Sequence, residues 1–213
     1  MEARPTVVLA TRNAGKAREF GRLLEEVFVV APLPDHVEMP EETGSTFREN
    51  AALKAQAAFA ALGASTAVLA DDSGLEVLAL GGIPGVQSAR YAGELATDQE
   101  NVAKLLAALE DVPDRSARFV CCLCLLQPGG TSRAAPVRIE VRGEAPGFIE
   151  AGPRGADGFG YDPVFRPRGW TETLAEASPH MKDEVSHRGA AARALVAALR
   201  ERQAAAEGVA HGS

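Results

Sequence analysis

Three observations predict an α/β fold. A β-branched run at 6–10 passes through a polar turn into a helical pattern. Further apolar runs of strand length alternate with amphipathic stretches that open on helix-capping signatures. Glycine and proline punctuate the chain where these patterns change, with no internal repeat or linker. At 213 residues the chain can bury a full core, as one large domain or two closely joined lobes.

Thr6–Ala10 is the first expected strand. Thr11, Arg12, Asn13, Ala14, Gly15 and Lys16 follow, then a helix to about Glu26. Strand, polar turn and helix start bring backbone N–H groups and the positive end of a helix dipole to one point, where an anion is favoured. Thr11 and Asn13 add neutral donors and Lys16 a point charge. The P-loop pattern GxxxxGK[ST] is absent, so a phosphate would be held by a different loop. The plainer alternative is a helix N-cap by Thr or Asn beside a solvated lysine.

A short strand at 27–31 leads into a loop rich in proline and acids, and a strong helix covers about 45–62. Thr46 and Glu49 have the spacing of a capping box. Asn50 and Lys54, four apart, share a face. Ala51, Ala55, Ala58 and Leu62 form a stripe of small residues suited to close packing on a sheet. Glu49 is either the cap's partner or a carboxylate aimed into a cleft.

Residues 67–74, Ala-Val-Leu-Ala-Asp-Asp-Ser-Gly, hold the most reactive stretch. A buried strand is expected to end at the two carboxylates, with Asp71 and Asp72 on opposite faces. Adjacent negative charges repel unless a cation, hydrogen bonds or solvent offset them. An Asx turn capping the strand is the alternative.

Residues 75–80 read as a further apolar strand and 81–86 as a tight loop leading to Ser88 and Arg90. An amphipathic helix is expected over 97–109, with Thr97 as N-cap and Glu100 at the capping-box position. Strands at 118–126 and 137–143 make a long-tipped hairpin through Gly129 and Gly130. Residues 152–165 are dense in glycine and aromatics. Glycine lets backbone approach a ligand closely, and Phe159 or Tyr161 offers a ring to stack on a flat one. A structural aromatic turn is the competing reading. Residues 171–176 read as a short helix, 190–205 as the last helix and 207–213 as a disordered tail. Lys182, His187 and Arg188 gather at the last helix's N-terminus, where the dipole disfavours cations. Either Asp183, Glu184 and solvent offset them, or an anionic ligand does.

A net charge of −7 argues against a sequence-independent grip on nucleic acid polymers, though not against a small polyphosphate held by cations focused in a cleft. No apolar run approaches the roughly 20 residues of a membrane span, and the N-terminus lacks a signal pattern. A cytoplasmic location is expected. Cys121, Cys122 and Cys124 share one apolar run and read as core residues of a reducing compartment. The acids (Glu49, Asp71, Asp72) without histidine-rich ligation suit a hard cation such as Mg²⁺, which takes one or two carboxylates and phosphate oxygens. Cations (Lys16, Lys54, Arg90, Lys182, Arg188) and a ring platform suggest a nucleotide, and phosphoryl or nucleotidyl transfer to water is the matching chemistry.

The strings TRNAGK, FRENAALKA, LADDSGLEV, GIPGVQSARYAG, GFGYDPVF and SHRGAA occur in the order found in the inosine triphosphate pyrophosphatase family, the XTP/dITP diphosphatases. The resemblance spans about residues 6–200. It implies an elongated mixed central sheet flanked by helices, two lobes around an active-site cleft, and a homodimer. The implied reaction splits ITP, dITP or XTP into monophosphate and pyrophosphate with Mg²⁺. Position by position, Thr11 to Lys16 resemble the triphosphate-binding segment. Glu49 and Asp72 resemble the metal-associated carboxylates, with Asp72 also the proton acceptor, and Ser73 a substrate contact. Phe159, Gly160, Tyr161 and Asp162 resemble the base-binding segment, and Lys182, His187 and Arg188 the remaining nucleotide contacts. Two rivals stay open: a septum-inhibitor-type pyrophosphatase acting on modified pyrimidines or 7-methyl-GTP, and a nucleotide-binding sensor without catalysis.

Overall fold

In the computed structural model, which describes residues 4–129 and 134–210, six strands form one sheet. They are β1 (Thr6–Leu9), β2 (Val29–Pro32), β3 (Ala67–Val77), β4 (Ser116–Gln127), β5 (Val137–Ile149) and β6 (Phe165–Pro167), in the spatial order β2-β1-β3-β4-β5-β6. β1 pairs in parallel with β2 and β3, and every other pairing is antiparallel. The sheet is therefore mixed, as expected. Parallel neighbours need crossovers, supplied by α1 (Ala14–Leu23) and α2 (Phe47–Ala61). The antiparallel half comes from the β4–β5 hairpin, whose tip, including Gly130, lies outside the described residues.

The period of two along β3 sorts its side chains between the two faces. Val68 and Ala70 pack on Ala51, Ala55 and Ala58, the small-residue stripe of α2. Leu69 points the other way, to Phe20 of α1 and Leu195 of α5 (His187–Ala210). Around the far ends of β3 and β4 a third cluster gathers Leu75, Val77 and Phe119 with Leu105 of α3 (Asp98–Ala108) and Phe165. Cys121, Cys122 and Cys124 are free and buried in β4.

Several expected boundaries move, each because a distant partner claims the backbone. β3 does not end at Ala70. It runs through both aspartates to Val77, since β4 pairs with it from Leu126 opposite Val68 to Ala117 opposite Val77. The carboxylates consequently sit inside a sheet, not at its rim. Only 75–77 of the expected 75–80 strand is extended, and Leu78–Leu80 forms a 3-10 turn. The expected helix at 171–176 is a turn, because Leu174 N–H donates to Phe165 O (3.0 Å) and Ala175 N–H to Asp162 O (3.3 Å). Amides spent on tertiary bonds cannot close helical rings. α4 (Pro179–Val185) precedes α5, which starts at His187 and stays helical to Ala210. Residues 207–210 of the expected tail are drawn as helix, while 211–213 lie outside the described residues.

α5 lies so close to β5 that a Cβ on Gly143 would stand 2.2 Å from Ala191 N and 2.4 Å from His187 O. Both neighbours are backbone, so only a shift of the helix would make room. Gly143→Ala is expected to lower stability by about 1–3 kcal/mol, as overpacking does. Chain entropy alone predicts the opposite sign, a gain of about 0.4–1 kcal/mol. The urea midpoint decides between them.

Candidate active site

Opposite orientation gives the two aspartates different company. Asp71 faces α1 and α5, and its Oδ2 receives Lys16 Nζ at 2.7 Å and the Ser73 hydroxyl at 3.1 Å. Burial pushes its pKa up, but Lys16, Lys54 and Arg188 outweigh that and hold it at about 2. Asp71 is a fixed anion. Asp72 faces α2, where Asn50 Nδ2 donates to Oδ2 at 3.1 Å and Lys54 Nζ lies 3.4 Å from Oδ1. Burial raises its pKa, Lys54 opposes the rise, and the nearby charges of Glu42 and Asp71 add to it. A carboxylate whose basicity is raised is suited to taking a proton. The shared face of Asn50 and Lys54, read from their spacing, is what meets Asp72.

Glu49 fulfils the capping-box reading. Its Oε2 accepts from Ser45 N–H (2.7 Å), Ser45 Oγ (2.9 Å) and Thr46 N–H (3.2 Å). It is exposed and is not among the residues lining the cleft. Of the other carboxylates lining the cleft, Glu42 is the one that shares a lysine with Asp72, bonded to Lys54 at 2.8 Å and 3.6 Å from Arg90. Nothing in the local pattern of the acidic loop singles out Glu42. Gly44 N–H donating to Asn50 Oδ1 at 2.7 Å fixes that loop to α2.

The first loop divides its tasks. Asn13 caps α1, its Oδ1 accepting from Lys16 N–H at 3.0 Å, while Thr11 Oγ1 accepts from Asn13 N–H at 3.2 Å. The capping reading is thus right for Asn13, but Lys16 is paired and not simply solvated. Arg12 turns away, its guanidinium donating to the carbonyls of Leu33, Pro34, Asp35 and Val37 at 2.8–3.3 Å. It straps down the segment leading to Glu42. Ala14 opens the helix, and Gly15 leaves space for Phe159, whose ring carbon would be 2.6 Å from a Cβ there.

At the other end of the cleft lies a buried ionic network that the sequence indicated only in part. Lys182 and Arg188 converge as expected, but their counter-charges are Glu19 and Asp162. Glu19 accepts Lys182 at 2.6 Å and Arg188 at 2.9 Å, and Asp162 accepts Lys182 at 2.5 Å and Phe159 N–H at 2.9 Å. Asp183 instead pairs with Arg22. Burial pushes Glu19 up, yet Arg188 and Lys182 hold it below the usual range. Arg188 also reaches Ser73 Oγ at 3.0 Å, joining this network to β3. Arg188 and Lys182 stand 4.8 and 5.0 Å from the Phe159 ring centre, and Tyr161 Oη donates to Ser88 O at 2.8 Å.

His187, only 1% exposed, stacks on Phe119 with centroids 4.6 Å apart. Burial, then Arg188, Lys182 and Lys16, depress its pKa well below the ordinary value, so the ring is neutral. Among the described residues, the buried side-chain atoms without a hydrogen-bond partner are Asp71 Oδ1, both His187 ring nitrogens and Arg188 Nε. Larger hollows of about 610 and 630 Å³ beside Gly81 and Gly82 contain none of these atoms. Buried polar atoms are normally paired, and His187 and Arg188, which carry three of these four, line the same cleft as Asp72. Among the described residues no group of three His, Cys, Asp or Glu is arranged to hold a metal. Glu42 and Asp72, two carboxylates on one lysine, offer oxygen donors that fit an ion such as Mg²⁺, which draws its other ligands from phosphate and water.

Fold and cleft together define an α/β protein that sets a buried carboxylate against a cationic, ring-bearing pocket. Within that class, the chain belongs to the Ham1 family, whose model matches residues 7–198. A protein of Geobacillus kaustophilus named dITP/XTP pyrophosphatase is 50% identical over 190 residues, covering 87% of this chain and 89% of its own. One of the same name from Shigella flexneri is 48% identical over 198 residues, covering 91% and 98%. The structure of a HAM1 protein from Coxiella burnetii superposes with a TM-score of 0.80 at 43% identity, covering 92% of this chain and 99% of that one. No helix among the described residues is long and apolar enough to cross a membrane.

Proposed function

We propose that the chain hydrolyses ITP, dITP and XTP to the monophosphate and pyrophosphate, removing deaminated purines from the nucleotide pool. The observation that carries this reading is the set of unpaired buried atoms of His187, stacked on Phe119, and of Arg188, over the Phe159 ring, in the cleft that holds Asp72. A neutral imidazole offers one donor and one acceptor, and a guanidinium offers donors only. A purine with a keto group at its six-position accepts from such donors. Adenine presents an amine there, and a donor facing a donor is penalised when buried.

Asp72, oriented by Asn50 and Lys54, takes the proton from water as its oxygen bonds to phosphorus. Lys16 and the N-terminus of α1 face the phosphates, where positive potential favours the leaving pyrophosphate. Asp72 and Glu42 are the residues that would hold Mg²⁺. When bound, the ion supplies charge neutralisation to the phosphate oxygens. A homodimer, which the family resemblance implies, and a cytoplasmic location complete the reading.

Pyrophosphate release measured with Mg²⁺ across ITP, dITP, XTP, GTP, ATP, dUTP and 7-methyl-GTP tests the proposal. Release confined to the first three, and abolished by EDTA, is expected. Preference for dUTP or 7-methyl-GTP would favour the septum-inhibitor type, and binding without release would favour a sensor.

A further inference from the structure

We propose that Asp98 is a positioning residue that latches the base-binding turn to α3 and so sets the Phe159 wall. The inference rests on the base-binding reading of 158–162. Gly155, Gly158 and Gly160 have φ of +81°, +79° and +63°, so this segment contains little intrinsic stiffness. Its conformation has to be fixed by what it touches. On one side Asp162 does this, bonding Phe159 N–H and, through Lys182, α4. On the other side Gly160 N–H donates to Asp98 Oδ2 at 2.7 Å.

Asp98 is well placed for the task. It is the first residue of α3, directly after the Thr97 cap, where Thr97 and Glu100 form a complete capping box. Asn101 fixes the same end of the helix, accepting from Ala92 N–H at 2.7 Å and donating to Ala89 O at 3.1 Å. That ties α3 to the segment whose Ser88 carbonyl receives Tyr161. Two consecutive residues of the turn, Gly160 and Tyr161, are thus held from one rigid platform. Phe159, immediately before them, is pressed between this platform, the Gly15 surface and the two cations. Asp98 also lines the cleft. By sequence it is an ordinary first-turn acid, a residue that merely favours the helix dipole. The bond across 62 positions is what separates the two roles.

The two roles predict different behaviour. Asp98→Ala removes both the charge and the acceptor, whereas Asp98→Asn removes the charge and keeps an oxygen that accepts from Gly160. A latch predicts that Asp98→Ala raises KM for ITP about tenfold, with kcat within about twofold of wild type. Asp98→Asn should bring KM back to within about twofold. Inhibition by tripolyphosphate, which has no base, should be unchanged in both variants. Independently of turnover, amide hydrogen exchange at Gly160 should accelerate in Asp98→Ala and not in Asp98→Asn. Unchanged KM in Asp98→Ala, Asn behaving like Ala, or unchanged Gly160 exchange would overturn the latch. A wild-type protein inactive on every nucleotide would sink the hydrolase reading instead, and the exchange measurement would still decide the latch.

Discussion

Asp72→Asn is expected to lower kcat for ITP by about 10²–10⁴, the usual contribution of a positioned general base, while leaving the fold intact. The stability side follows from the direction of the Asp72 shift. Folding raises its pKa, so the ionised form is disfavoured in the native protein and contributes no stability at neutral pH. An amide of the same shape removes that unfavourable charge and keeps one oxygen for Asn50, while Lys54 retains Glu42. Activity should therefore collapse with a thermal midpoint equal to or above that of wild type. Single-turnover hydrolysis and a melting curve on the same sample check both halves. Turnover at the wild-type rate would remove Asp72 from the base role.

The neighbouring substitution should do the reverse to stability. Asp71→Asn leaves Lys16 facing a neutral amide, and takes away the charge felt by Lys54 and Arg188, in a site where Asp71 is 0% exposed. Breaking a buried ion pair from one side costs about 3–5 kcal/mol. The pH dependence has a definite sign. The folded pKa, about 2, lies below the ordinary 3.8, so the stability is fully present above about pH 4 and is lost as pH falls through 2. Urea unfolding at neutral pH should show a large deficit for the variant, shrinking toward acid. A constant deficit across that window would mean that shape, not charge, makes Asp71 matter. Taken together, the two substitutions separate adjacent residues of one type by their opposite effects on stability.

Much of the site was legible because its signals are local. Alternation along the strand put Asp71 and Asp72 on opposite faces, and a four-residue spacing put Asn50 and Lys54 on the face that meets Asp72. Both capping boxes formed as read. The assignment of Glu49 to the metal rested on resemblance, and the cap that its own spacing described is what its carboxylate makes. Arg12 shows the same limit in reverse: a cation in a phosphate-type loop whose donors are taken by carbonyls 21–25 positions away.

By itself the sequence determined the family, through its ordered motifs, and, through periodicity, the α/β alternation, the starts of α2 and α3 and the faces on which the aspartates lie. These depend on neighbours within a turn or a pleat, and periodicity reports them directly. Only the tertiary structure decided which acid meets which cation: Glu42 beside Asp72, Glu19 beneath Arg188 across 169 positions, Asp98 under Gly160. Charge interactions act through space, in an interior where burial strengthens each one. Their partners are therefore set by how the helices pack on the sheet, which no spacing along the chain encodes.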